Sequence, residues 1–161
     1  FPADAISGLT QQPARWQLES ETTKRFPGDY FQMGPHGEIV GKKLEELAVE
    51  SDGDCCFVPD RIVLKRSDQS DDVQPGYIRG AIVGRDGTPR KAQLALVLNG
   101  RVRGTTRTIE GIDVAGHVSA FLNPEDYLMG ENSFQMFEIR EGETGVTLHE
   151  CLMKESVGSR R

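Results

Sequence analysis

A chain of 161 residues with 37% hydrophobic side chains carries enough apolar material for the core of one ordinary domain. Its 25 acidic against 19 basic residues, a net charge of -6, are the wrong balance for a nucleic-acid-binding surface. No apolar run is long enough to cross a bilayer as a helix, and the 18 glycines and 8 prolines favour short strands and turns over long helices.

The chain opens on Phe1-Pro2 with no signal-peptide pattern, and the expectation is a piece cut from a longer polypeptide. Residues 1–35 are irregular, broken by Pro2, Pro13, Pro27 and Pro35. Trp16 and Leu18 alternate with polar neighbours and suggest a strand over residues 15–19; Phe26, Tyr30, Phe31 and Met33 lack a period and read as plugs against the main domain. "GKKLEELA", residues 41–48, places Leu44, Leu47 and Ala48 on one helical face and predicts one short helix.

From residue 55 the period becomes two. Strands are expected over residues 61–66 and 77–83, separated by the polar loop 67–72, with a turn at 84–89 where Gly87 supplies a positive φ. In "LALVLNGRVRGTTRT", residues 94–108, Leu94, Leu96 and Leu98 share one face and Ala95 and Val97 the other. Asn99-Gly100 is the strongest short signal for a two-residue hairpin turn, because both central residues of a type I′ turn need positive φ. In the returning strand Val102 continues the apolar side, with Arg101, Arg103, Thr105 and Arg107 opposite. Further strands are expected over residues 117–122, 134–139 and 146–152.

This pattern predicts a mainly β protein, an antiparallel β-sandwich of immunoglobulin or transthyretin type. An irregular N-terminal arm with one short helix would fill residues 1–54, the sandwich 55–155, and a polar tail 156–161.

Arg101, Arg103 and Arg107 form the leading candidate anion site, since guanidinium forks match sulfate, phosphate or the anionic groups of a glycan or lipid headgroup. The alternative is a solvated outer sheet face. "CCFVPDR", residues 55–61, has the look of the sulfatase Cys-x-Pro-x-Arg nucleophile, but Cys56 lies three residues before Pro59 and Phe57 occupies the matching position, so the cysteines read as structural. Cys55, Cys56 and Cys151 allow a bridge from Cys55 or Cys56 to Cys151, or three buried reduced thiols. The acidic loops Asp52-Gly53-Asp54 and 67–72 lack the closing Glu of a calcium loop. His36, His117 and His149 lack zinc-site spacing. No catalytic residue, metal or cofactor is assigned to this chain; a hydrolase built on His117 or His149 with a distant Asp and Ser ranks last.

Three segments together resemble the C-terminal part of bacterial membrane-anchored proteins of the sulfatase-like, alkaline phosphatase superfamily. "FPADAISG" is similar to the tail of that catalytic domain, with Phe1, Pro2, Asp4 and Ser7 in step and Ala5 in place of Gly. "MGPHGEIVGKKLEEL" matches at Gly34, Pro35, His36, Gly41 and Leu47. The hairpin and the stretch after it match a terminal β-domain at Asn99, Gly100, Arg101, Gly130 and Asn132. The resemblance implies an extracytoplasmic accessory domain, tethered through its parent, downstream of a metal-dependent ester hydrolase or transferase, and packing on that catalytic domain of the same polypeptide or assisting anionic substrate binding. It also favours the disulfide reading of the cysteines. The competing expectation is an independent glycan- or protein-binding module of a cell-envelope or secreted protein.

Overall fold

Nine strands build two sheets in the computed structural model, which describes residues 34–51, 53–64, 75–111, 114–143 and 145–154. The strands are β1 (Ala48–Glu50), β2 (Cys55–Val63), β3 (Gly76–Gly84), β4 (Gln93–Leu98), β5 (Arg101–Arg107), β6 (His117–Leu122), β7 (Phe134–Gly142), β8 (Gly145–Glu150) and β9 (Leu152–Met153). One sheet has the order β1-β8-β7-β4-β5 and the other β6-β3-β2-β9. The long pairs are antiparallel; only the short edge pairs β1/β8 and β2/β9 run parallel. The expected strand at 15–19, the aromatic plugs at 26–33, the loop 67–72 and the tail lie outside the described residues.

Leu94, Leu96, Leu98 and Met136 of the larger sheet meet Cys55, Phe57, Ile78, Ile82, Val118 and Leu122 of the smaller one in the core. Phe57 meets Phe134 edge to face, with ring centroids 6.4 Å apart. The larger sheet is covered on its other face as well. Ala95, Val97, Val102, Phe137, Ile139 and Leu148 lie beneath Ile39, Val40, Leu44 and Leu47. Burial on both faces is why β4 reads as an unbroken apolar run.

The segment in front of β1 is therefore a cover. Only one 3₁₀ turn, Leu44–Glu46, occupies the stretch expected as a helix. Its backbone bonds go elsewhere: Gly41 N–H donates to Val102 O, Val102 N–H to Lys42 O, and Leu44 N–H to Gly100 O. The three-residue spacing of Leu44 and Leu47 is the same in a single turn as in a helix, so the apolar period could not separate them. Strand β1 then joins the larger sheet beside β8, so residues ahead of position 55 contribute to this sheet.

Two other segments depart from expectation. The strand expected at 61–66 begins at Cys55 and carries a bulge at Asp60, between Pro59 and Arg61, which hides the alternation. The strand expected at 146–152 breaks at Cys151, where the chain leaves β8 of one sheet and enters β9 of the other.

Asn99 sits at φ 53 and Gly100 at φ 75, the left-handed pair the hairpin requires. Asn99 also holds the loop before β7: its Nδ2 donates to Asn132 Oδ1 at 2.8 Å, and Ser133 N–H donates to its Oδ1 at 3.0 Å. Asn132 in turn accepts from Leu128 N–H and donates to Leu128 O and Gly130 O. Asn99→Ala removes both bonds and the residue type best able to hold this φ after glycine. The expected loss is about 1–2 kcal/mol, read from urea unfolding midpoints.

Candidate functional site

The arginine strip is divided by the register of its own hairpin. Leu96 pairs with Gly104 but Val97 pairs with Val102, so Arg103 is the extra residue of a bulge. Arg101 opposite Leu98 therefore faces the sheet-to-sheet side, and Arg107 opposite Gln93 faces the side covered by the arm. The simple alternation expected from Arg101 to Arg107 does not hold across this bulge.

The strip is also partly engaged by the chain itself. The Arg101 guanidinium donates to Gly41 O. Arg103 Nη1 pairs with Asp126 Oδ1 at 2.8 Å, and its Nε is buried with no acceptor among the described residues. Burial pushes the Asp126 carboxyl above its usual range against the pull of Arg103. Arg107 is exposed; the Lys91 hydrogen bond, with a smaller pull from Arg107, holds the Glu110 carboxyl down.

A second charged group, unremarked in the sequence, sits where the sheets meet. Glu138 on β7 is buried and accepts from two arginines. Arg90, between β3 and β4, donates through Nε and Nη2 to the two Glu138 oxygens, each at 3.1 Å. Arg140 donates from Nε and Nη2 to Glu138 Oε2 at 3.0 and 2.7 Å. Asp54, immediately before β2, closes the ring with Arg90 at 3.1 Å and Arg140 at 2.6 Å. Two positive and two negative groups balance, and the ring ties the start of β2 in the smaller sheet to β7 in the larger. Glu138 and Arg140 are two residues apart on one face of β7, but Arg90 and Asp54 join them across sequence separations of 36 to 86 residues, which no local spacing relates.

The Arg90 hydrogen bond, then that of Arg140, holds the Asp54 carboxyl below its ordinary range. Its contribution is thus present above the unfolded-state value and is lost as pH falls through the lower folded-state value. Asp54→Asn is expected to lower the urea midpoint near neutral pH. The gap from the parent chain should close as pH drops below about 4.

Beside this ring Cys55 and Cys151 form a disulfide, while Cys56 is a buried thiol. Gly53 passes so close to the far strand that a Cβ there would stand 1.9 Å from Glu150 O. His149, opposite Glu138 on β8, has its Nδ1 3.4 Å from Glu50 Oε2. His36 stands in a left-handed conformation, its Nδ1 3.2 Å from Glu38 Oε1 and its Nε2 2.7 Å from Gln93 Oε1 and 3.2 Å from Glu141 Oε1. His117 is on β6, and the three histidines are not brought together. Among the described residues no three His, Cys, Asp or Glu side chains are arranged to hold a metal ion. Asp52 and the acidic run 67–72 lie outside the described residues.

The third place is the outward face of the smaller sheet. Tyr77 on β3 lies between Phe121 on β6 and Val63 on β2; one step along the same face, Arg79 lies between Ser119 and Arg61. Phe121 is 56% exposed and its ring centroid is 5.1 Å from that of Tyr77. Ser119 Oγ donates to the Tyr77 hydroxyl at 3.3 Å. Arg61 and Arg79 are both exposed, and Arg79 Nε lies 3.7 Å from the exposed Asp60.

Comparison with protein-family models, with curated proteins and with solved structures finds no match to this chain. The fold and the three charged or aromatic places above therefore carry the functional argument. No described helix is long and apolar enough to cross a membrane.

Proposed function

We propose that this chain is a non-catalytic β-sandwich accessory module of a larger extracytoplasmic protein, and that it works through its surfaces. The observation carrying this reading is the Arg90–Glu138–Arg140–Asp54 ring. The most buried carboxylate of the described residues is spent on joining the two sheets, with both of its oxygens occupied by guanidinium donors.

Two observations support the sulfatase-like, membrane-anchored parent suggested by the sequence. The Cys55–Cys151 disulfide suits an oxidising compartment. Asn99 and Asn132, from two separate stretches of the resemblance, meet in one hydrogen bond. In this reading the module packs on the metal-dependent hydrolase or transferase domain of its own polypeptide and helps present an anionic substrate.

The test separates the module from its parent. The 161-residue chain alone should not turn over 4-nitrophenyl sulfate or 4-nitrophenyl phosphate with zinc, magnesium or calcium. The upstream part of the same polypeptide, produced separately, should do so and be retained on the immobilised chain. Turnover by the chain alone, or an upstream region that neither hydrolyses such esters nor is retained, would overturn the reading.

A further inference from the structure

We propose that the outward face of the four-stranded sheet is a binding site for an anionic polysaccharide. Tyr77 and Phe121 form its stacking platform, and Arg61 and Arg79 receive the sulfate or carboxylate groups. The proposal rests on the reading of the chain as a surface-acting module and names the chemistry of its ligand.

The register makes the site. Phe121, Tyr77 and Val63 form one cross-strand row, and Ser119, Arg79 and Arg61 the next row on the same face. Successive same-face rows on a strand are about 7 Å apart, so one polymer laid along the strands meets both rows. A sugar ring has an apolar face of C–H groups and a polar rim. The apolar face matches an exposed aromatic ring, and an anionic rim substituent matches a guanidinium fork. A neutral apolar partner would leave the arginine row without a counterpart.

The two guanidiniums carry a further argument. Arg61 and Arg79 are directly opposite on neighbouring strands, where like charges repel. Asp60, in the bulge beside them, approaches Arg79 only to 3.7 Å and is itself exposed. Among the described residues one exposed carboxylate thus faces two guanidiniums, and an added anion completes the balance. The chain as a whole is acidic, at -6, so long-range attraction does not bring a polyanion to it. Retention has to come from a local positive pair. Arg101 and Arg103 already have acceptors within the chain, whereas the Arg61/Arg79 row faces outward.

The experiment is affinity electrophoresis of the full chain in gels containing heparin, polygalacturonate or neutral dextran, with light scattering in the same buffer. Heparin and polygalacturonate separate sulfate from carboxylate as the recognised group. The chain should be retarded by at least one of the two, less so at raised salt, and not by dextran. Arg61→Gln with Arg79→Gln, and separately Phe121→Ala, should each weaken retention by about tenfold or more, while Arg107→Gln leaves it unchanged. No retardation by either polyanion would overturn the proposal. So would retention that survives Phe121→Ala but falls with Arg107→Gln, or a dimer that Phe121→Ala dissolves, which would place a second copy on this face. Failure here leaves the ester-hydrolysis test of the accessory-module reading untouched, so the two readings fail separately.

Discussion

Replacing Cys55 and Cys151 together by alanine is expected to lower the unfolding free energy by about 2–5 kcal/mol. The two cysteines are 96 residues apart in sequence. Closing a loop of roughly 100 residues removes unfolded-state entropy worth about 4.7 kcal/mol in the chain-entropy account. Position adds to this. Cys55 starts β2 in the smaller sheet, and Cys151 is the residue at which the chain passes from the larger sheet to the smaller. Both side chains are buried in the main core, so their loss also leaves unfilled volume. Thermal melts of the double variant should shift downward by roughly 2–4 °C for each kcal/mol lost. Cys56→Ala keeps the bridge and serves as the comparison, with a smaller shift. An unchanged melting temperature in the double variant would mean that the bridge does not hold the sheets.

Glu138→Ala is expected to cost about 2–4 kcal/mol. The side chain of Glu138 is 8% exposed, while those of Arg90 and Arg140 are 28% and 40% exposed. Removing the carboxylate leaves two guanidiniums facing each other with only Asp54 between them. Partial solvation of the arginines keeps the loss below that of a fully buried ion pair. Glu138→Gln should fall between Ala and the parent, because its amide oxygen still accepts while its NH₂ confronts a guanidinium. Urea unfolding with an unchanged m-value gives the measurement. A loss under about 0.5 kcal/mol for Glu138→Ala would show that solvent carries these charges without the ring.

The elements most legible in the sequence were those governed by neighbours in the chain. Asn99-Gly100 dictates its turn through φ alone, and in residues 117–122 Val118, Ala120 and Leu122 recur at period two; both elements appear where expected. The two sheets and the β-sandwich class follow from the same alternation. Bulges defeated the reading elsewhere. One extra residue at Arg103 moves Arg101 and Arg107 to opposite faces, and one at Asp60 conceals the first half of β2. Gly104 stands next to the first bulge, but a lone glycine in a strand does not by itself fix where the register shifts, and no glycine adjoins Asp60 on its strand.

What lies between distant segments was not legible. Arg90, Glu138, Arg140 and Asp54 are each ordinary surface residue types; Glu138 and Arg140 share one face of β7, and only the fold brings Arg90 and Asp54 to them. The apolar odd positions of β4 hinted that its second face is covered, but the cover is a stretch whose Leu44 and Leu47 satisfy a helix period equally well. Tyr77 and Phe121 likewise belong to different strands 44 residues apart, and no local pattern pairs them.

Amide chemical shifts of the full chain, followed through a titration with heparin fragments and then with oligogalacturonate, test the central claim most directly, because the two arginine-bearing surfaces lie on different sheets. The account predicts that perturbed amides cluster at Arg61, Tyr77, Arg79, Ser119 and Phe121. Perturbation centred on Arg101 to Arg107, or none with either ligand, would contradict it.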